Sequence, residues 1–275
     1  MMCAWNQLLS ILPPWLSQEA DRYGRQELQE LRLRTGQVPE LILSGKSLWL
    51  DRIVNREDIN FVINTASRYS PWAAATAARG YITASGGHRI GLCGEAVIKA
   101  GTLEGMRHIK SLCIRVARDF PGVSGSISKR RGSILLIGPP GSGKTTLLRD
   151  LARKIAMTET VCVVDERGEL FPEGIMAGKR MDIISGCSKK DGIEMVLRTM
   201  GPDSIVVDEI TSEQDCQALV QAGWCGVRLL ASAHASSVED LYSRSVYQPL
   251  VQRKLFDHIL VLNRDKMWKE ESIAQ

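Results

Sequence analysis

Residues 134 to 146 read ILLIGPPGSGKTT. The apolar run is too short for a helix, and it stops at a proline pair and three glycines that no helix interior accepts. Helical spacing then resumes in TTLLRDLARKIA. A buried strand must therefore turn sharply into a helix. The turn matches G-x-x-x-x-G-K-[ST] from Gly138 to Thr145. In that context the pattern is a phosphate loop. The glycines let successive backbone N–H groups face an anion, and the new helix points its positive end at the same place. Gly138, Pro139, Pro140, Gly141, Ser142, Gly143, Lys144, Thr145 and Thr146 form the expected cradle. Lys144 is expected to reach β- and γ-phosphates, and the Thr145 hydroxyl to hold Mg²⁺. The cofactors implied are ATP and Mg²⁺.

Five more apolar runs follow the same logic: TVCVVDE, MDIISG, SIVVDE, VRLLASAH and DHILVLN. They are continuous rather than alternating, so both faces of each strand are expected to be buried. That pattern predicts a mostly parallel sheet covered by helices, an α/β fold, over residues 126–275.

Residues 1–125 are expected to form a smaller α+β domain. ELRLRTG alternates leucine with charge, as a half-buried strand does. ELILSG and SLWLD follow, with SGK as the turn. Residues 55–80 read as a long helix capped by Asn55 and interrupted at Pro71. YITASGGHRIGLCGEAV reads as a hairpin about Gly86-Gly87, and SLCIRVARD as a further strand. Residues 119–133, rich in glycine, serine and proline, read as a linker or domain edge. The closing triplet Lys129-Arg130-Arg131 reads as a solvated face. The apolar residues of MMCAWNQLLSILPPWL are expected to dock on the chain's own N-terminal domain.

Composition limits the alternatives. The net charge of +4 and 5% aromatic residues give little support for a nucleic-acid groove, and no nucleic-acid partner is expected. Seven scattered cysteines without a Cys-x-x-Cys pair read as reduced thiols. No apolar run approaches the roughly 20 residues of a membrane span, and the N-terminus lacks the basic start of a signal peptide. A cytoplasmic protein is expected.

Three further signals lie at predicted strand ends, where open α/β sheets place their sites. In DSIVVDEI, Asp208 suits the Mg²⁺ shell through water. Glu209 suits a base that orients and deprotonates a water. In VCVVDERGEL, Asp165 and Glu166 are catalytic candidates or else simply charges on a loop. In VRLLASAHASSVEDL, His234 is a candidate sensor of the γ-phosphate; a capping or core histidine is the other reading.

On these residues the chain resembles the RecA-like secretion and pilus motor ATPases. Those carry a phosphate loop, an acidic box, a second strand ending in Glu, and a Thr-x-His box. The corresponding positions here are Gly138–Thr145, Asp165-Glu166, Asp208-Glu209 and Ala233-His234. More closely, the chain resembles the stage III sporulation AA family. LRLRTG, GYITASGGHRIGLCGEAV, SLCIRVAR, GPPGSGKTTLLRDLAR, VVDERGEL and SAHASSVEDL carry that likeness. The resemblance implies a RecA-like core and a hexamer. It also implies a place at the base of a channel between mother cell and forespore, peripheral to the membrane through membrane-bound sporulation channel proteins. A neighbouring subunit's arginine is then expected at the γ-phosphate. Arg89, Arg115, Arg167 and Arg198 are candidates, each with surface salt bridging as its other reading. The chain departs from the motors at Asp208, where they usually carry Gly, and at Thr211, where many carry Arg. It also lacks the four-cysteine metal module of many of them.

Other phosphate-loop enzymes fit less well. A helical lid of the AAA+ kind finds no room in the twelve residues after Asn263, taken as the end of the last strand. A small-molecule kinase has no need of Glu209. A nucleotide-gated scaffold with little hydrolysis remains the alternative, because intact motifs do not set a rate.

Overall fold

The computed structural model describes residues 3–67, 80–99, 101–172 and 175–271. They divide into two compact units, Met1–Asp119 with Pro172–Ile175, and Phe120–Phe171 with Met176–Gln275.

The first unit is a six-stranded antiparallel sheet with helices against it. Its strands are β1 (Leu28–Arg34), β2 (Glu40–Leu43), β3 (Lys46–Trp49), β4 (Tyr81–Thr83), β5 (Arg89–Lys99) and β6 (Thr102–Arg115), in the order β3-β2-β1-β6-β5-β4. Alternation in ELRLR puts Leu31 and Leu33 into the core and leaves Arg32 and Arg34 part-exposed. Hairpins form at SGK and about Gly86-Gly87, where Thr83 faces Arg89. Helices α1 (Trp5–Ile11) and α2 (Pro14–Glu27) bury Leu8, Ile11 and Leu16 in the same core. Each such side chain contributes roughly 1.5–3 kcal/mol. The N-terminal apolar face is thus used inside its own unit. Helix α3 (Arg56–Ser67) starts at a reciprocal cap. Asn55 Oδ1 accepts from the Asp58 amide at 2.8 Å, and Asp58 Oδ2 accepts from the Asn55 amide at 3.0 Å. The expected continuation of this helix past Pro71 lies outside the described residues.

The second unit carries a seven-stranded sheet in the order β13-β12-β7-β11-β10-β8-β9. Its strands are β7 (Ile134–Ile137), β8 (Val161–Asp165), β9 (Met181–Ser185), β10 (Ser204–Ile210), β11 (Arg228–Ala233), β12 (His258–Leu262) and β13 (Trp268–Glu271). All neighbours are parallel except β12 and β13. Helices α4 (Lys144–Ile155), α5 (Lys189–Thr199), α6 (Glu213–Trp224), α7 (Val238–Ser243) and α8 (Gln248–Gln252) complete the unit. Strands β7, β8 and the first half of β10 are buried on both faces, as their continuous apolar runs require.

Three sequence expectations need correction here. MDIISG does form a strand, but β9 is the outermost in the order, and Ile183 is 40% exposed. The run ending at Asn263 is not the last strand. Residues 268–271 return antiparallel as β13, through a tight turn held by Asn263 Oδ1 accepting from the Met267 amide at 3.0 Å. The basic triplet is not simply solvated. Arg130 pairs with Glu270 at 2.6 Å and stands 5.7 Å from the Trp268 ring centre, fastening β13.

Candidate nucleotide site

The phosphate loop follows β7 as the sequence requires. Gly143 has φ +93, a left-handed conformation that favours glycine. At Gly138 a Cβ would lie 2.5 Å from the Leu262 carbonyl oxygen, so only glycine fits against β12. Helix α4 begins at Lys144, and its first N–H groups are available to an anion.

Strand order then sets the chemistry. β11 lies between β7 and β10, so His234, just past its end, falls between the loop and the Asp208-Glu209 pair. Lys144 Nζ approaches His234 Nδ1 at 3.3 Å, and His234 Nε2 lies 3.0 Å from Glu209 Oε1. A lysine ammonium can only donate and a carboxylate only accept. The imidazole tautomer carrying its proton on Nε2 satisfies both. Lys144 Nζ also donates to the carbonyls of Gly138 at 2.8 Å and Pro139 at 3.0 Å. Burial pushes the Lys144 pKa down, while the charges of Asp208 and Glu209 push the other way.

Thr145 Oγ1 donates to Asp208 Oδ2 at 2.8 Å. These two hard oxygen donors fit Mg²⁺, which takes one or two carboxylates and fills the rest of its octahedron with phosphate oxygens and water. Among the described residues no group of three or more His, Cys, Asp and Glu forms a self-sufficient metal cage. Lys144, Thr145, Asp208, Glu209, Ser232 and His234 line one cavity of about 410 Å³.

Sequence reasoning missed Ser232. It is wholly buried in β11, donates to Asp208 Oδ1, and accepts from the Glu209 amide at 2.9 Å. A serine within an apolar run carries no signal of this. Its position two residues before the candidate histidine is the one hint available. The β10–β11 register breaks between Val207 and Ile210, and Glu209 has φ +55. A non-glycine residue held there costs about 1–3 kcal/mol, and such strain clusters at functional sites. Ser232 holds both members of the acidic pair across this bulge.

The other candidates separate. Asp165 is buried, and its carboxylate accepts the amides of Glu169 at 2.9 Å, Leu170 at 2.9 Å and Phe171 at 3.0 Å. Burial raises its pKa; those amides oppose the rise, and the Asp208 charge adds to it. Arg149 of α4 donates to the Leu170 and Glu169 carbonyls of the same loop. Asp165 thus shapes the loop. Glu166 pairs with Lys189. Both carboxylates border a cleft that also includes Asp208 and Glu209.

Among the arginines, Arg167 donates to Glu209 Oε2 at 3.2 Å within the same chain. Arg115 pairs with Glu30 at 3.5 Å, and Arg89 lies over Tyr81 at 4.6 Å, both in the first unit. Arg198 turns back to the Glu194 carbonyl of α5 at 3.3 Å.

Comparison with known proteins adds the context. The profile of the family described as "Sporulation stage III, protein AA" matches residues 6–271. Stage III sporulation protein AA of Bacillus subtilis (strain 168) is 34% identical over 281 residues, covering 95% of this chain and 92% of the relative. Among solved structures, the Legionella pneumophila ATPase DotB superposes with a TM-score of 0.62 at 17% identity, covering 94% of this chain and 79% of that one. The pilus retraction motor PilT with bound ADP gives 0.62 at 15%, covering 90% and 76%. These structures establish a RecA-like α/β fold.

Proposed function

The chain belongs to the sporulation stage III protein AA family, and from that premise and the site geometry we propose that it is a Mg²⁺-dependent ATPase. The observation that carries the reading is the continuous polar chain Lys144–His234–Glu209, flanked by Thr145–Asp208. It places a cation, an imidazole, a candidate base and two metal-compatible oxygens around one cavity beside a phosphate loop.

In this reading ATP phosphates draw the Lys144 ammonium from the Gly138 and Pro139 carbonyls. The α4 N-terminus and the loop amides hold the anion. Thr145 and, through water, Asp208 would hold Mg²⁺, which would supply positive charge beside the β- and γ-phosphates. Glu209 accepts a proton from water as its oxygen attacks the γ-phosphorus. The bond from that phosphorus to the β,γ-bridging oxygen breaks, and ADP and phosphate leave. Ser232 keeps Asp208 and Glu209 apart in their two roles. His234, bonded to both Lys144 and Glu209, reports the phosphate state to the start of α7.

By the same family premise the protein works as a homo-oligomer, a hexamer, beside membrane-bound sporulation channel proteins. No described helix is long and apolar enough to cross a membrane itself. The deciding experiment is phosphate release per subunit across a wide range of protein concentration, with and without Mg²⁺. Release that needs Mg²⁺ and vanishes in Lys144→Ala supports the ATPase. ATP bound without release at any concentration assigns the chain instead to a nucleotide-gated scaffold.

A further inference from the structure

Two carboxylates, Asp208 and Glu209, and two ammonium groups, Lys144 and Lys266, line the phosphate cavity. The first three stand where the sequence marks a loop or a strand end. Lys266 stands in the turn between β12 and β13, within NRDKM, where nothing in the sequence marks it.

β12 and its turn pack against both ends of the phosphate loop. The Leu262 carbonyl oxygen lies 2.5 Å from where Gly138 would carry a Cβ, and the Lys266 Cγ lies 3.8 Å from where Gly143 would carry one. The aliphatic stem of Lys266 is thus in ordinary van der Waals contact with the last glycine of the loop. The turn is closed by the Asn263 amide donating to the Met267 carbonyl at 3.0 Å and the Lys266 amide donating to the Asn263 carbonyl at 3.1 Å. Lys266 has φ +64, a left-handed conformation that asparagine or glycine adopts more easily. The backbone of the turn therefore does not call for lysine.

Charge is spread unevenly over the cavity. Lys144, held by the Gly138 and Pro139 carbonyls and His234, serves the β- and γ-phosphates, beside the metal-compatible pair Thr145 and Asp208. Gly143, Thr146 and Lys266 form the border with a neighbouring cavity, which Asp208, Glu209 and His234 do not line. Lys266 is the only charged side chain among the described residues along that neighbouring cavity. Its ammonium makes no ion pair among the described residues.

We propose that Lys266 is a phosphate-binding cation, held by the same chain, that contacts the α- and β-phosphates of the nucleotide. The inference rests on the nucleotide reading above and deepens it. Loop amides cradle those two phosphates, and Lys266 adds a full charge where the loop turns into α4. ATP and ADP carry both groups, so Lys266 holds substrate and product alike and does not distinguish them. That task stays with the residues at the γ-phosphate end.

The test is calorimetric binding of MgATP and MgADP to the full chain at low and at high salt. Lys266→Asn removes the charge and suits the left-handed backbone. It should weaken ATP and ADP by the same factor, about tenfold or more, the scale of one charge-assisted hydrogen bond. Its affinity should also fall less steeply with salt than that of wild type, because one screened charge is gone. A merely structural role would not move that slope. Lys266→Arg keeps the charge and should stay within about threefold of wild type. Arg264→Ala removes a cation of the same turn that lines neither cavity and should leave both affinities unchanged. Wild-type affinity in Lys266→Asn, a loss for ATP without one for ADP, or an equal loss in Arg264→Ala overturns the assignment. If Lys266→Asn does not fold, Lys266→Gly, which meets φ +64 without steric cost, decides the question. If wild type binds neither nucleotide, the nucleotide reading has failed and this contact falls with it.

Discussion

The Glu209 amide donates to Ser232 Oγ at 2.9 Å, while the Ser232 hydroxyl donates onward to Asp208. One buried side chain on β11 thereby ties the Asp208 carboxylate and the Glu209 backbone together at the bulge in β10. Ser232→Ala removes the acceptor and the donor together. Leaving the Glu209 amide unsatisfied costs about 1–3 kcal/mol. The expected result is a lower Tm and a kcat reduced about tenfold or more, with ATP affinity changed little. A variant with wild-type kcat would remove Ser232 from the site.

Glu209→Gln keeps the shape of the side chain and loses the base. ATP binding should persist, and phosphate release should fall by about 10²–10⁴-fold, the usual scale for general-base catalysis. Lys144→Ala should instead lose binding, because the ammonium is the one full positive charge inside the loop. Filter binding beside phosphate release separates the two. Unchanged release by Glu209→Gln would assign the base to another group.

His234→Ala breaks the bridge between Lys144 and Glu209. Binding of ATP should stay near wild type. What should be lost is the nucleotide dependence of assembly, read by comparing particle mass with ATP and with ADP. Intact ATP-dependent assembly in this variant counts against a sensor.

A pH effect is expected in the first unit. His88 is wholly buried; its Nε2 lies 2.9 Å from the Ala4 carbonyl oxygen, and its Nδ1 accepts from the Ala117 amide at 3.1 Å. The neutral imidazole suits both contacts. Burial lowers its pKa below the ordinary 6.5, against a smaller raising effect of the Ala4 bond. Between the folded and unfolded values the unfolded chain binds more protons. The His88 contribution is therefore fully present above 6.5 and is lost as pH falls toward the folded value. Urea unfolding at pH near 7.5 and near 5.5 should show that loss in wild type. His88→Gln should be weaker at the higher pH and lose less on acidification. Equal losses in both proteins would place the acid sensitivity elsewhere.

Much of this was legible in the sequence, for reasons particular residues make plain. Gly138–Thr145 is a contiguous signal, because a backbone cradle for phosphate must be built from neighbours. Asp208-Glu209 and His234 stood out because polar residues ended apolar runs. Asn55 announced its cap as a capping residue type ahead of a helical run, while the return bond from Asp58 came only with the structure. By contrast, MDIISG could not reveal itself as the edge strand β9, since its composition is that of a buried strand. WKEE carries no apolar alternation, and β13 forms because the Asn263 turn and Arg130 hold it.

The chain by itself determined which apolar runs of the second unit become strands, where the anion cradle lies and which carboxylates stand near strand ends. All of that rests on interactions between residues close in sequence. Strand order was decided only in the tertiary structure, because pairing is a contest among distant segments that look alike along the chain. By inserting β11 between β7 and β10, the fold set His234 between Lys144 and Glu209 and gave Ser232 its two partners.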